Sequence, residues 1–415
     1  MTLSPTIDRA LSGPDRDSPA QDCAPVPLPN PIRILHIVGH RMHWGGTETW
    51  LMHVLRRIDR TRFQMDFLVH STEQWAFDEE VQAIGATIIP CPHPSRPWSY
   101  ARRFAAVLNT RGPYHVVHSH VHHFSGYIAR LAYRAGVPAR IAHSHCGTAA
   151  VDEKAGLVRR IYVNRMRSWI DRYATCGLAA SEQAAIALYG PHWRSDPRWK
   201  VLYCGIDLKP FRVPVNRARV KAELGIPQNA FVLGHVGMFG PPKNHGFLVR
   251  IAASLIRQRP DVFLLLIGDG PLRPSIESEV SRMGISKHVL FCGTRDDVPK
   301  LMLGAMDLFV FPSLWEGLAL SFIEAQAAGL PCVISDVITK EADVLPELIT
   351  RLSPTEPIVV WTDEIVRLLV HPPAVPVAQA TDLVAKSPFN GDTSSPALEQ
   401  LYANLLDESP VYPGR

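Results

Sequence analysis

At 415 residues, 46% hydrophobic and 20% charged, the chain is long enough for two ordinary domains with separate cores. A net charge of +4 is too small to point to nucleic acid, and no apolar run approaches the length that spans a bilayer. Seven scattered cysteines without a C-x-x-C pair exclude a zinc ribbon or disulfide scaffold and read as reduced thiols of the cytoplasm.

Residues 1–30 carry Pro and Asp throughout, with neither an apolar core nor a basic start, and read as a disordered leader. Ile32 to Gly39 follows as a strand. A turn holding Gly45-Gly46-Thr47-Glu48 then opens a helix with Leu51, Val54, Leu55 and Ile58 on one face and Thr47 as its cap. Paired glycines at a helix start let backbone amides approach an anion, although a tight turn with no ligand has the same signature. Strands at Phe63–Val69 and Ala86–Ile89 alternate with helices at Ala76–Ile84 and Tyr100–Leu108, the pattern of a doubly wound parallel sheet.

Five histidines crowd His115 to His123. No carboxylate or cysteine completes a recognisable metal-ligand spacing, and a strand end entering a cleft loop accounts for them. A helix over His122–Ala135 leads to a second strand that ends in His143-Ser144-His145-Cys146-Gly147. Next comes a basic amphipathic helix over Lys154–Ile170. Its cluster of Arg159, Arg160, Arg165 and Arg167, with Arg172 beyond, reads either as solvated surface or as a lean on an anionic membrane. A strand over Tyr173–Ala180 and a helix begun by Ser181 and Glu182 close this half, and Leu208 to Pro227 reads as the hinge.

The second half repeats the scheme. The stretch Phe231 to His245 reads again as strand, Gly-rich loop and helix, and Lys243 sits near the start of a helix that buries Phe247, Leu248, Ile251 and Leu255. A cation and free amides would there meet a diphosphate. Val262–Gly268 and Val289–Gly293 are further strands, with Thr294 to Asp297 opening a short helix. Leu308–Phe311 then feeds a Pro/Ser/Gly turn and a helix that stops at Gly329, placing Glu316 in the turn and Glu324 in the helix. Two carboxylates beyond the end of a parallel strand suit the hydroxyls of a sugar or ribose. Ser321-x-x-Glu324 fits a capping box equally well. Cys332–Ser335 reads as the last strand, Pro-rich polar sequence follows Pro346, and Leu398–Leu406 has a helical pattern.

Glu316-Gly317, then Glu324-Ala325, with Ala328-Gly329-Leu330-Pro331 closing the helix, resembles the E-x7-E segment of retaining glycosyltransferases of family 4. The resemblance implies the α/β architecture called GT-B, two Rossmann-like doubly wound domains facing across a cleft. Here these would be an acceptor-side domain over 31–208, a nucleotide-sugar domain over 209–385 and a segment over 386–415 that returns to the first.

It also implies sugar transfer, with retention, from a nucleotide-diphosphate sugar to a saccharide or lipid-linked acceptor, in the manner of the bacterial exopolysaccharide branch. No cofactor or metal is expected. The implied setting is the cytoplasm, with peripheral contact at the inner face of the membrane. Glu316 and a cleft histidine, His145 first and His143 second, would serve catalysis. Gly45, Gly46 and Glu48 match the family's G-G-x-E turn, and Lys243, Asn244, Gly268, Arg295, Gly317 and Glu324 would complete the donor site.

Three departures stand out: Ala319 for a usual Gly, Cys204 in the N-G-I-D segment, and Met238 where the family has an Arg that grips the diphosphate with the Lys. A thioether does not replace a bidentate guanidinium. Compensation by Arg41 or Arg295 and a non-catalytic partner subunit both follow as readings, beside a sugar-nucleotide epimerase of the same layout.

Overall fold

The computed structural model describes residues 28–408 except 40, 41, 43, 44, 72, 74, 75, 148–155 and 374. The expected leader therefore lies almost wholly outside the described residues, as do Arg41 and the His43-Trp44 pair.

Seven parallel strands form the first sheet: β1 (Ile32–Ile37), β2 (Phe63–Val69), β3 (Thr87–Pro90), β4 (Val116–Ser119), β5 (Ala139–Ser144), β6 (Cys176–Ala179) and β7 (Trp199–Val201), in spatial order β3-β2-β1-β4-β5-β6-β7. Helices α1 (Gly46–Arg57), α2 (Asp78–Ala83), α3 (Pro97–Arg111), α4 (Ser125–Arg134), α5 (Leu157–Tyr173) and α6 (Glu182–Tyr189) alternate with them.

Helix α7 (Arg217–Glu223) leads into the second parallel sheet. Along the chain this runs β8 (Phe231–Val236), α8 (His245–Gln258), β9 (Val262–Ile267), α9 (Arg273–Arg282), β10 (Val289–Phe291), α10 (Val298–Gly304), β11 (Leu308–Phe311), α11 (Leu320–Ala327), β12 (Cys332–Ser335) and β13 (Ile349–Leu352). Its spatial order is β10-β9-β8-β11-β12-β13. Helices α12 (Ile358–Val370), α13 (Val377–Lys386) and α14 (Gly391–Asp407) complete the chain.

The unbroken apolar run of β9 shows why these strands are central. Side chains alternate across a strand, so Val262, Leu264 and Leu266 pack with Leu248, Ile251 and Trp361 on one face. Leu265 and Ile267 pack with Met302 and Phe309 on the other. Both faces are covered, and neither tolerates a polar residue.

Three expectations are corrected. Cys332–Ser335 is not the last strand, because β13 pairs with it from Cys332↔Ile349 to Ser335↔Leu352. The segment Leu208–Pro227 is not a bare hinge: it holds α7, and Leu208, Phe211, Val220 and Ile226 are buried in the second domain's core. The region after Pro346 is largely helical. By contrast, α14 does return to the first domain, burying Leu398, Tyr402 and Leu406 there beside Trp50 and Phe63.

Each sheet reverses strand order once, between β1 and β4 and between β8 and β11. Open α/β sheets bind ligands beyond the carboxyl ends of the strands at such reversals. The loops leaving these four strands carry most of the residues that the sequence singles out.

Candidate functional site

In the second domain, the loops after β8 and β11 interlock. Lys243 Nζ donates to Glu316 Oε1 at 2.7 Å and lies over the Phe311 ring, 4.4 Å from its centroid. Leu314 donates its amide to the Pro242 carbonyl at 2.7 Å, and Asn244 Nδ2 donates to the Pro312 carbonyl at 3.2 Å. Asn244 is left-handed (φ 54°) and leads into α8 without a side-chain cap, so the first amides of that helix stay open.

Gly268, at φ 134°, ends β9 and faces the same loop. A Cβ there would collide with the Gly237 carbonyl oxygen. Arg295, four residues beyond the end of β10, is held bidentately by Asp297 at 2.7 Å on both oxygens. Met238 stands in this loop 47% exposed.

Glu324 lies in the second turn of α11, half-buried, with no hydrogen-bond or ionic partner for its carboxyl group among the described residues. The capping-box reading fails. Ala319 is the N-cap, Ser321 lies inside the helix, and no side chain caps it. Burial pushes the Glu324 carboxyl up to about 7.

In the first domain the cap is also corrected. Gly45 is the N-cap of α1 and makes no side-chain cap bond, while Thr47 is already helical. Glu48, in the first turn, is pushed up to about 7 by burial, partly offset by a backbone hydrogen bond. Gly46 is exposed.

The two halves meet at the carboxyl end of β5. A Cβ on Gly147 would sit 2.7 Å from the Glu316 carbonyl oxygen, and one on Gly317 would strike the His145 carbonyl oxygen. Only glycine permits that approach. Cys146, between them, is exposed at its surface, but the protein crowded around its thiol and then the charges of Glu316 and Glu48 push it up to about 11, with Lys243 opposing. Those influences place Glu48, Cys146, Lys243 and Glu316 around one volume. A second tie is Glu341, whose oxygens accept the Glu182 amide at 3.0 and 2.9 Å and the Tyr203 hydroxyl at 2.9 Å.

The histidines are arranged otherwise than a cleft loop. His36 of β1, His118 and His120 at the end of β4, and His143 and His145 at the end of β5 form one array beneath the cleft, with His36, His118 and His143 fully buried. His36 Nδ1 lies 3.0 Å from His120 Nε2, and His120 Nδ1 lies 2.9 Å from His145 Nε2. His118 bridges the Tyr402 hydroxyl at 2.8 Å and His143 Nδ1 at 3.1 Å.

Burial holds these imidazoles neutral, with His36 and His145 lowered to about 3. His36, His118 and His120, and likewise His120, His143 and His145, bring ring nitrogens within 4.8 Å. Hydrogen bonds account for that closeness, and among the described residues no carboxylate joins either trio to balance a divalent charge and Nε2 of His36 and of His143 stay unpartnered. His145 thus turns its ring into the array and its main chain toward Gly317. The His143 ring lies wholly within the core.

Sequence reading missed Cys146, Glu341 and the array. The array had one signal: two His-x-His pairs at the ends of strands that lie side by side.

Comparison with known proteins agrees with this geometry. Residues 230–369 match the model described as Glycosyl transferases group 1, and residues 45–205 match the Glycosyl transferase 4-like domain. A putative glycosyltransferase of Bacillus subtilis, EpsF, is 38% identical over 341 residues, covering 81% of this chain and 87% of that one.

The Escherichia coli UDP-Gal:alpha-D-GlcNAc-diphosphoundecaprenol alpha-1,3-galactosyltransferase is 33% identical over 233 residues, 54% of this chain and 58% of that one. The crystal structure of Anabaena HepE in complex with UDP and glucose superposes with a TM-score of 0.74 at 20% identity, over 90% of this chain and 99% of that one. WaaG, a glycosyltransferase involved in lipopolysaccharide biosynthesis, gives 0.67 at 19%, over 92% and 100%. The architecture is GT-B, and the chain belongs to the group 1 glycosyl transferases.

Proposed function

We propose that the protein transfers a sugar, with retention, from a nucleotide-diphosphate sugar to a saccharide or lipid-linked acceptor in exopolysaccharide assembly. The observation that carries this reading is the meeting of Lys243 and Glu316 with the half-buried Glu48 around Cys146, where the strand-order reversals of the two sheets face each other, with the unpartnered carboxyl group of Glu324 on the helix that follows the Glu316 turn.

Each group has a task. The diphosphate takes the Lys243 ammonium and the open amides at the start of α8, so negative charge developing on the leaving group is neutralised by fixed dipoles and a cation. Once Lys243 turns to phosphate, Glu316 is released to accept hydroxyls of the sugar. Glu324 accepts two ribose hydroxyls, and Gly45, Gly46 and Glu48 border the sugar from the opposite domain. His145 contributes its main chain at the close approach to Gly317, positioned by the imidazole array behind it. His143 supports it from the core. The Gly268 turn and the Arg295 loop flank the base.

Contacts from both domains exclude water that would hydrolyse the donor. Lys243 and the helix amides supply the positive field, so no metal ion is required. The setting is the cytoplasm, beside a membrane that carries the acceptor.

UDP-sugars are the first donors to test, since the E. coli relative uses UDP-Gal and the HepE complex holds UDP. Incubation of a UDP-hexose with a lipid-linked saccharide should give a product whose new bond keeps the donor's anomeric configuration by NMR, at an unchanged rate in EDTA. An inverted product, or loss of activity on chelation, overturns the corresponding part. An isomerised sugar without acceptor would favour the epimerase.

Met238 tests the donor site from another side. Its exposed thioether occupies the loop that faces the diphosphate, and a guanidinium there adds a charge-assisted pair. Met238→Arg is expected to tighten UDP binding about tenfold by calorimetry. Unchanged affinity would place residue 238 away from the phosphates.

A further inference from the structure

Two histidines of the second domain lie beside Lys243, the residue that meets the diphosphate in the proposed function. His235 sits near the end of β8 and His245 opens α8, and both are buried, at 0% and 1% exposure. Their rings meet edge to face at 4.8 Å. His245 stacks on Phe239 at 4.0 Å, and His235 lies against Phe311 at 5.3 Å. Phe311 is the ring over which the Lys243 ammonium also rests.

The pair differs from the array of the first domain. There hydrogen bonds link one imidazole to the next, whereas Nε2 of His235 and both ring nitrogens of His245 have no partner among the described residues. Buried polar groups are nearly always satisfied, so three such atoms in one place call for a partner that another state of the site supplies.

The bond that His235 does make fixes its chemistry. Nδ1 lies 2.9 Å from the Val310 carbonyl, which can only accept, so Nδ1 carries the hydrogen. Burial, and after it the neighbouring His245 and Lys243, hold the ring neutral against the pull of that carbonyl. Nε2 is then a bare lone pair, an acceptor without a donor. Lys243 is placed to be that donor. A Cβ on Gly237 would stand 3.0 Å from Lys243 Cε and 3.2 Å from His235 Nε2, so the lysine stem and the bare nitrogen border the same point. Residue 237 is glycine, and no side chain comes between them. The ammonium hangs one bond beyond Cε and reaches Glu316 at 2.7 Å.

We propose that His235 is a positioning residue of the donor site, whose Nε2 accepts one N–H of Lys243 once the diphosphate has drawn the ammonium away from Glu316. This rests on the proposed function and adds a residue to it. An ammonium has three donors. Phosphate oxygens take those that face the ligand, and the one turned back into the protein would otherwise be buried and unpaired. A neutral acceptor suits that place better than an acid. It fixes the direction of the ammonium on its flexible stem without cancelling the charge that the phosphates need. His245, edge-on to His235 and close enough to feel the same Lys243 charge, closes the pocket from the start of α8. Met238 raises the importance of this support, because it leaves Lys243 without the guanidinium that the resemblance pairs with it.

The full-length protein is tested by calorimetry with UDP and with uridine, in the absence of acceptor. His235→Phe keeps a ring beside Phe309 and Phe311. It is expected to weaken UDP about five- to tenfold and to leave uridine, which has no phosphate, unchanged. Gly237→Ala, which puts a methyl group between the lysine stem and the imidazole, should do the same. In the Lys243→Met protein neither substitution should weaken UDP further, because the donor that both disturb is already gone.

Three outcomes overturn the proposal: full UDP affinity in both variants, an equal loss of UDP and uridine, or a loss that persists in the Lys243→Met protein. Should His235→Phe fail to fold, Gly237→Ala with and without Lys243→Met decides the matter alone. The two readings fail separately. If the parent binds UDP and the losses simply add, the nucleotide-sugar reading stands and the assignment of His235 falls. A parent that binds neither UDP nor another nucleoside diphosphate takes both away.

Discussion

Lys243→Ala is expected to lower kcat/KM for the sugar donor by roughly 10²- to 10³-fold, the usual consequence of removing one preorganised group that stabilises developing charge. In the proposed function Lys243 is the cation that meets the diphosphate, and Glu316 holds its ammonium at 2.7 Å. Alanine also strips the stem from the Phe311 face and leaves Glu316 without its counter-ion, so a lower rate alone would not identify the role.

UDP affinity does identify it. A phosphate-binding lysine predicts that Lys243→Ala weakens UDP by about tenfold or more, since hydrogen bonds to charged groups contribute about 1.5 to 3 kcal/mol. Glu316→Gln, which frees the ammonium from its partner, should leave UDP binding unchanged or tighter while sugar transfer falls. If Lys243→Ala binds UDP as the parent does, the lysine merely positions Glu316. Lys243→Met, which keeps the stem on Phe311, separates lost packing from lost charge.

The groups on which that result rests were readable in the sequence, and the reason is local. A strand, a glycine turn and a helix put a side chain at the carboxyl edge wherever they occur, so Lys243, Glu316 and Glu324 could be placed at the cleft from their position in the repeat alone. The apolar runs of β1, β8, β9 and β11 were legible for the same reason: strands buried on both faces carry no polar alternation to confuse the pattern.

Features that depend on register or on the other domain were not legible. His36, His118, His120, His143 and His145 lie on three strands, and only the pairings His36↔His118 and His118↔Ile141 stack them into one array. Read one strand at a time, His36 is a lone polar residue and the two His-x-His pairs are polar strand ends near loops. Glu341 looks like an ordinary surface acid until the opposite domain presents the Glu182 amide and the Tyr203 hydroxyl. Strand β13 is four half-buried residues, Ile349 to Leu352, too short and too polar for its own periodicity to announce it. The caps failed in a related way. Thr47 and Ser321 are good capping residues by type, but the chain enters each helix one or two residues earlier, and those helix starts stay open.

Glu324→Gln is expected to do two opposite things. The Glu324 carboxyl group is half-buried, without a partner among the described residues, and pushed up to about 7 from an ordinary 4.5. Between those two values the folded protein holds a proton that the unfolded chain has lost. The group's contribution to stability therefore falls as pH rises through that window, and the whole penalty stands above 7. A neutral amide carries no such penalty. The variant should melt above the parent at pH 8, and the difference should shrink toward pH 5.

Function moves the other way. Two ribose hydroxyls need two acceptors, and glutamine offers one acceptor and a donor, so UDP binding at pH 8 should weaken by about 1 to 3 kcal/mol. Parent affinity should rise from pH 6 to 8 as Glu324 ionises. In Glu324→Gln that rise should be lost.

A variant that melts lower at pH 8 and binds UDP as the parent does would make Glu324 a structural residue of α11 and remove it from the donor site. The expected pair of results, a more stable protein with a weaker grip on nucleotide, marks a carboxylate kept partly desolvated for a ligand that supplies its hydrogen bonds.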